Sequence, residues 1–232
     1  MDTTLNNETS KPIEWSQISV RGPQSEMFLQ GQISQDLASL DAVGAWSLIL
    51  RPDGVVITSC WVERLADGFT LTLPRVLGEV TLIRLRRFQL RADCTLALGD
   101  VERGPLATTA DSVNVGWPGE AEFAAELMPQ SFGAAFVRSS ISFSKGCFTG
   151  QELVGRLDAR GSNVPWRLVR TRGPSTPSIN AVLLSKGPAG PQGVTTAVTS
   201  GTEVVALAWA HRSILDPAVL EGFTDVTIEA IA

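Results

Sequence analysis

Along this chain the spacing of hydrophobic positions switches between a period of two and a period near 3.6, and the switches delimit its elements. Ala45 to Leu50 is largely apolar. Arg51-Pro52-Asp53-Gly54 then has the proline-second, glycine-last form of a tight turn, and VVITSCWVER (55–64) carries β-branched strand residues, so the pattern predicts a hairpin. A second turn at Ala66-Asp67-Gly68 leads into the alternating FTLTLP. Between Pro74 and Phe88 the residues Val76, Leu77, Val80, Ile83 and Leu85 recur at helical spacing. In LRADCTLAL (90–98) the period of two returns, placing Leu90, Ala92, Cys94, Leu96 and Leu98 on one core-facing side.

Further patterns complete the plan. GPQSEMFLQGQISQD (22–36) predicts a short helix between Pro23 and Gly31. Asp100 to Gly119 shows little periodicity and reads as an irregular connection, with a short helix at Glu120 to Leu127. Beyond Gly161, WRLVRTR, AVLLS, GVTTAVTS, VVALAWA and VTIEAIA read as short strands separated by Gly/Pro turns. The order predicts an α+β fold: a disordered tail over 1–12, an antiparallel-sheet domain over 13–162 and a small barrel or sandwich over 163–232.

Composition narrows the function. The chain has 232 residues, 44% hydrophobic and 19% charged, with a formal net charge of −5, which argues against a direct nucleic-acid binder or a membrane-surface protein. No apolar run approaches the roughly 18 residues of a membrane helix, and MDTTLNNETSKP lacks the parts of a signal peptide, so a cytoplasmic location is expected. Cys60, Cys94 and Cys147 are too far apart to suggest a disulfide framework or a metal-ligand motif. GxSxG, GxxxxGK[ST] and HExxH are absent, there is no tyrosine, and the one histidine, His211, reads as a rim residue.

What remains is SKGCFTGQELVGR (144–156). If Lys145-Gly146-Cys147 is extended, Lys145 and Cys147 share a face and the ammonium lies near the sulfur. Thr149-Gly150-Gln151-Glu152 has the form of a capping box, with a helix following through Leu153, Val154 and Leu157. A cation and a helix start both favour a thiolate, so Cys147 is a candidate reactive thiol. The bland alternative is a small buried residue beside two loop glycines. Arg84, Arg87 and Arg91 follow at i, i+3 and i+7, either as a solvated helix face or as a receptor for ligand carboxylates.

KGCFTGQE, with LVGRLDARGSNVPWRL after it, resembles the KGC[FY]xGQE signature of the YgfZ family of folate-binding proteins, relatives of the glycine-cleavage T-protein (aminomethyltransferase) that serve iron–sulfur enzymes. GPQSEMFLQGQISQD, LRPDGVV, RLRRFQLRAD and VVALAWAHR add to the likeness, whereas Asp100 to Gly119 is shorter than the family's central region. The resemblance implies an aminomethyltransferase-like folate-binding part with a C-terminal β-barrel, around a tetrahydrofolate pocket. It places the functional thiol at Cys147, with Lys145 beside it. Gly146, Phe148, Gly150, Gln151, Glu152 and Arg156 fall on the remaining motif positions, and Arg84 and Arg87 are candidates for the ligand's carboxylates. Phe148 stands where tyrosine is usual. Where the T-protein has adjacent aspartates this chain has Thr58 and Ser59, and hydroxyls cannot act as the missing carboxylate. The implied function is binding of a reduced folate in support of iron–sulfur enzymes or cluster-assembly proteins. The alternatives are a folate-dependent one-carbon transferase and an interaction module with a degraded pocket.

Overall fold

The computed structural model describes residues 10–185, 187–216 and 224–231. Most of the expected tail, 1–12, lies outside them, but its end is fastened: the Lys11 N–H donates to Thr109 Oγ1 at 3.0 Å and Pro12 bridges to Thr108.

Two antiparallel sheets organise the chain. The first has the order β2-β3-β4-β1-β5 and is built from β1 (Trp15–Arg21), β2 (Ala45–Leu50), β3 (Val56–Leu65), β4 (Gly68–Pro74) and β5 (Thr95–Val101). The hairpins expected at Arg51-Pro52-Asp53-Gly54 and Ala66-Asp67-Gly68 join β2 to β3 and β3 to β4. Strand β1 lies between β4 and β5; sequence periodicity missed it because WSQISVR mixes polar residues into both faces. One face of this sheet packs Ile18, Val20, Ile49, Cys60, Val62 and Leu71 against α1 (Ser25–Gln30) and α2 (Gly78–Phe88).

The opposite face forms a second core. Leu48, Leu50 and Val56 meet α3 (Thr109–Val115), α4 (Glu120–Phe123), α5 (Ala134–Ser140) and α6 (Gln151–Ala159), and beyond them Leu168, Leu207 and Trp209 of the second sheet. That sheet has the order β7-β8-β6-β9, from β6 (Trp166–Gly173), β7 (Gly193–Ser200), β8 (Glu203–His211) and β9 (Thr227–Ala230). Its far face packs Val169, Ala208 and Ala210 under α7 (Thr176–Leu183).

Four expectations need correction. Among the described residues the second sheet is open, with edges at β7 and β9, and does not close into a barrel; four strands are fewer than the roughly five to eight that close one. AVLLS is not a strand: Ser175 caps a helix with proline in its first turn, so residues 181–183 finish α7. The supposedly irregular 100–119 contains α3, set by a Thr108/Asp111 capping box. Leu90 is exposed, because α2 ends at Phe88 and β5 begins only at Thr95; Cys94 is nevertheless buried.

Candidate functional site

The motif loop, 141–150, connects α5 to α6 and is laced onto the segment Gly31–Gln35. The Ser142 N–H donates to the Ser34 carbonyl at 3.0 Å, and the Thr149 N–H donates to the Gly31 carbonyl at 3.1 Å. Between these ties, Lys145 Nζ donates to the carbonyls of Ile33 (2.8 Å) and Gln35 (2.7 Å) and lies 5.3 Å from the Phe148 ring centroid. Phe148 is buried in the second core. Lys145 and Phe148 thus point inward, while Gly146 and Cys147 are exposed.

This corrects the expected pairing of Lys145 with Cys147. The segment joins no strand ladder, so alternation with a period of two does not apply, and the buried ammonium is satisfied by two carbonyls instead. Burial pushes the Lys145 ammonium down from its ordinary 10.5 to about 8, partly opposed by the charge of Asp36. Asp36 is held below its ordinary value chiefly by a 2.6 Å hydrogen bond from Gln30 Nε2, with smaller contributions from the Ala38 N–H and Lys145.

The capping box is absent too. Gly150 is the N-cap of α6 in a left-handed conformation (φ 84°) with no side-chain cap, and a Cβ there would lie 2.6 Å from the Arg51 carbonyl. Thr149 turns to Gly31 rather than to the helix. The Gln151 N–H bonds to the Phe148 carbonyl, and Glu152 pairs with Arg156 at 2.6 Å on the solvent side of α6. Nor do the two arginines converge. Arg84 turns inward, donating to Gln32 Oε1 (3.0 Å) and the Leu50 carbonyl (3.2 Å) and stacking on Phe88, with its pKa lowered by burial; Arg87 is exposed.

Thr58 and Ser59 are buried. Thr58 Oγ1 donates to the Ser59 carbonyl, and Ser59 Oγ accepts from Trp117 Nε1 at 3.2 Å. Trp117 stacks on Trp46 with centroids 4.2 Å apart, and Trp46 meets Trp61, its cross-strand partner, edge to face at 5.4 Å. Trp46 and Trp61 wall a cleft of about 420 Å³ that also receives Gln17, Glu63, Thr72 and Arg103. Sequence reading missed these residues. The available signal was Trp61 and Glu63 two apart on one strand, with Trp46 opposite across the predicted hairpin. Cys147 does not line this cleft, but its loop is tied to the cleft's strand through Lys145: Lys145 Nζ donates to the Gln35 carbonyl, and Gln35 Nε2 to the Trp46 carbonyl at 3.2 Å.

The comparisons with known proteins bear on this geometry. No family model matches the chain. Over a 223-residue alignment it is 25% identical to the tRNA-modifying protein YgfZ of Enterobacter sp. (strain 638), covering 65% of this chain and 67% of the relative. With the protein of the same name from Klebsiella pneumoniae (strain 342) it is 24% identical over 220 residues, with the same coverage. The crystal structure of glycine cleavage system aminomethyltransferase T from Bartonella henselae superposes with a TM-score of 0.60 at 14% identity, over 88% of this chain and 79% of that one. The chain is a sequence relative of YgfZ on the T-protein fold. Among the described residues no group of three or more His, Cys, Asp or Glu side chains is placed to hold a metal ion, and no helix is long and apolar enough to cross a membrane.

Proposed function

We propose that this chain binds a reduced folate in the cleft walled by Trp46 and Trp61, and that through Cys147 it supports iron–sulfur enzymes, in the tRNA modification that names its relatives. The observation that carries the reading is the cleft itself. An indole lining, with Trp61 held edge to face against Trp46, suits a flat heteroaromatic ring, and the Glu63 carboxylate suits its paired N–H donors. Arg103 suits the carboxylates of a glutamyl tail. The volume of about 420 Å³ falls within the range of small-molecule sites. A bound tetrahydrofolate would supply one-carbon or redox chemistry, and the residues named here bind and orient it.

Cys147 has a separate role. It is displayed on a loop fixed by inward-pointing Lys145 and Phe148, accessible to a partner protein rather than enclosed with the folate. Thr58 and Ser59, buried and without a carboxylate, give the one-carbon transferase alternative no support.

Titration with tetrahydrofolate, followed by tryptophan fluorescence and calorimetry, tests the reading. Saturable binding is expected, weakened about tenfold or more in Trp61→Ala and in Glu63→Gln. No binding to the unaltered chain sinks it. Cys147→Ala is expected to bind folate normally and to fail in an iron–sulfur enzyme activity assay, and full activity would remove the role given to the thiol.

A further inference from the structure

We propose that the outward face of α2 is a docking surface for an acidic amphipathic helix of another protein. The inference goes beyond the folate reading and stands without it.

Helix α2 buries Gly78, Thr81, Leu82 and Leu85. On the opposite side, where a surface helix ordinarily carries polar residues, α2 places Val80, Ile83 and Arg87 at steps of three and four, with Val76 in the turn before the helix and Leu90 just past its end. Within α2 these three positions form one outward stripe on which a second helix can lie. The aliphatic members are 60%, 49%, 44% and 82% exposed. With Phe88 they make five of the eleven large hydrophobic side chains exposed among the described residues, so the patch is a cluster rather than scatter.

Charge selects the occupant. Arg86 flanks the stripe, Arg87 lies in it and Arg91 follows it, and none of the three forms an ion pair among the described residues. The end of α2 and the turn after it gather three arginines within six residues, on a chain of net charge −5. A second copy would bring these three arginines against their own kind, with fewer carboxylates, Glu79 and Asp93, to offset them. A bilayer would have to accept Arg87 in the middle of its apolar stripe. Nucleic acid gains nothing from Val80 and Ile83. A protein helix with aliphatic residues along one seam and carboxylates beside it satisfies both features. One helix face buries less than the roughly 800 Å² per partner of a stable interface, so the contact is transient and sensitive to salt.

The test uses a fluorescently labelled helical peptide with leucine at the a and d positions and glutamate at e and g, titrated by anisotropy into the full chain. Micromolar binding is expected, weakened by added salt and by about tenfold or more in Ile83→Glu and in Arg87→Glu. A matched peptide with lysine in place of glutamate should not bind. Ile83 is half-exposed, so Ile83→Glu should keep its thermal melting profile. Absent binding, or binding that both substitutions leave unchanged, overturns the proposal. So does an Ile83-dependent association with phosphatidylglycerol vesicles, or an Ile83-dependent dimer in sedimentation, in place of peptide binding. Tetrahydrofolate titration of Ile83→Glu keeps the two readings apart, since α2 contributes nothing to the cleft.

Discussion

Lys145 is a cation turned into the protein, and its cost and use can both be measured. In the unfolded chain it holds its proton to about 10.5, and in the folded chain to about 8. Between those values the unfolded state binds more protons, so stability rises with pH across the window; below pH 8 the charge is present in both states and its burial penalty is felt in full. Relative to Lys145→Met, the wild type is expected to gain on the order of 1–3 kcal/mol as pH rises from 8 towards 10.5, read by urea denaturation at a series of pH values. A difference that stays flat would mean that the ammonium is not desolvated. The cysteines separate as sharply. Burial pushes the Cys60 thiol up to about 12 and also raises Cys94, whereas Cys147 is exposed. Iodoacetamide at pH 8 should therefore label Cys147 alone in the native protein and all three in urea; native labelling of Cys60 would contradict the packing. The motif was legible as a string of residue types. The side of the loop each residue faces was not, because that is set by contacts with Gly31–Gln35, more than a hundred residues earlier in the chain.

Elements with strong local signals were legible: the turns at Pro52 and Gly68, the helical spacing of α2, and α6 after Gly150. Those defined by tertiary partners were not. Strand β1 exists because β4 and β5 flank it, and Trp46 and Trp61 become cleft walls only through their cross-strand register. The start of α6 offers a paired test of backbone geometry. Gly150→Ala adds a Cβ against the Arg51 carbonyl at a positive φ, and is expected to cost about 1–3 kcal/mol and to disturb the motif loop. Gly155→Ala, within the same helix and with nothing within 4 Å of its Cβ, is expected to stabilise by about 0.5–1 kcal/mol. Thermal or urea melts of the two variants read the contrast. Equal effects would show that the left-handed turn is not what fixes the helix start.

At the scale of the whole molecule, 13–162 and 163–232 looked like separate units because their patterns differ, helices and hairpins in one and short strands in the other. Their apolar residues nevertheless share one core: Leu48, Leu50, Phe132, Phe136 and Val154 pack in the same cluster as Leu168, Leu207 and Trp209. Trp209 is almost fully buried and meets Phe132 edge to face at 5.1 Å, so it joins the second sheet to the elements under the first. Removing it leaves a cavity on that shared boundary. Trp209→Ala is expected to cost about 3–5 kcal/mol. If the two sheets unfold as one, the cost must reach both. Under native conditions the most protected amides of β3, far from the substitution in sequence, should then exchange about 100- to 1000-fold faster, in step with those of β8. Independent domains would confine the acceleration to β6–β9 and leave β3 untouched. The motif loop, sitting beside Val154 in the same core, should follow β3 and β8 in the cooperative case; hydrogen exchange resolved by mass spectrometry distinguishes the two patterns.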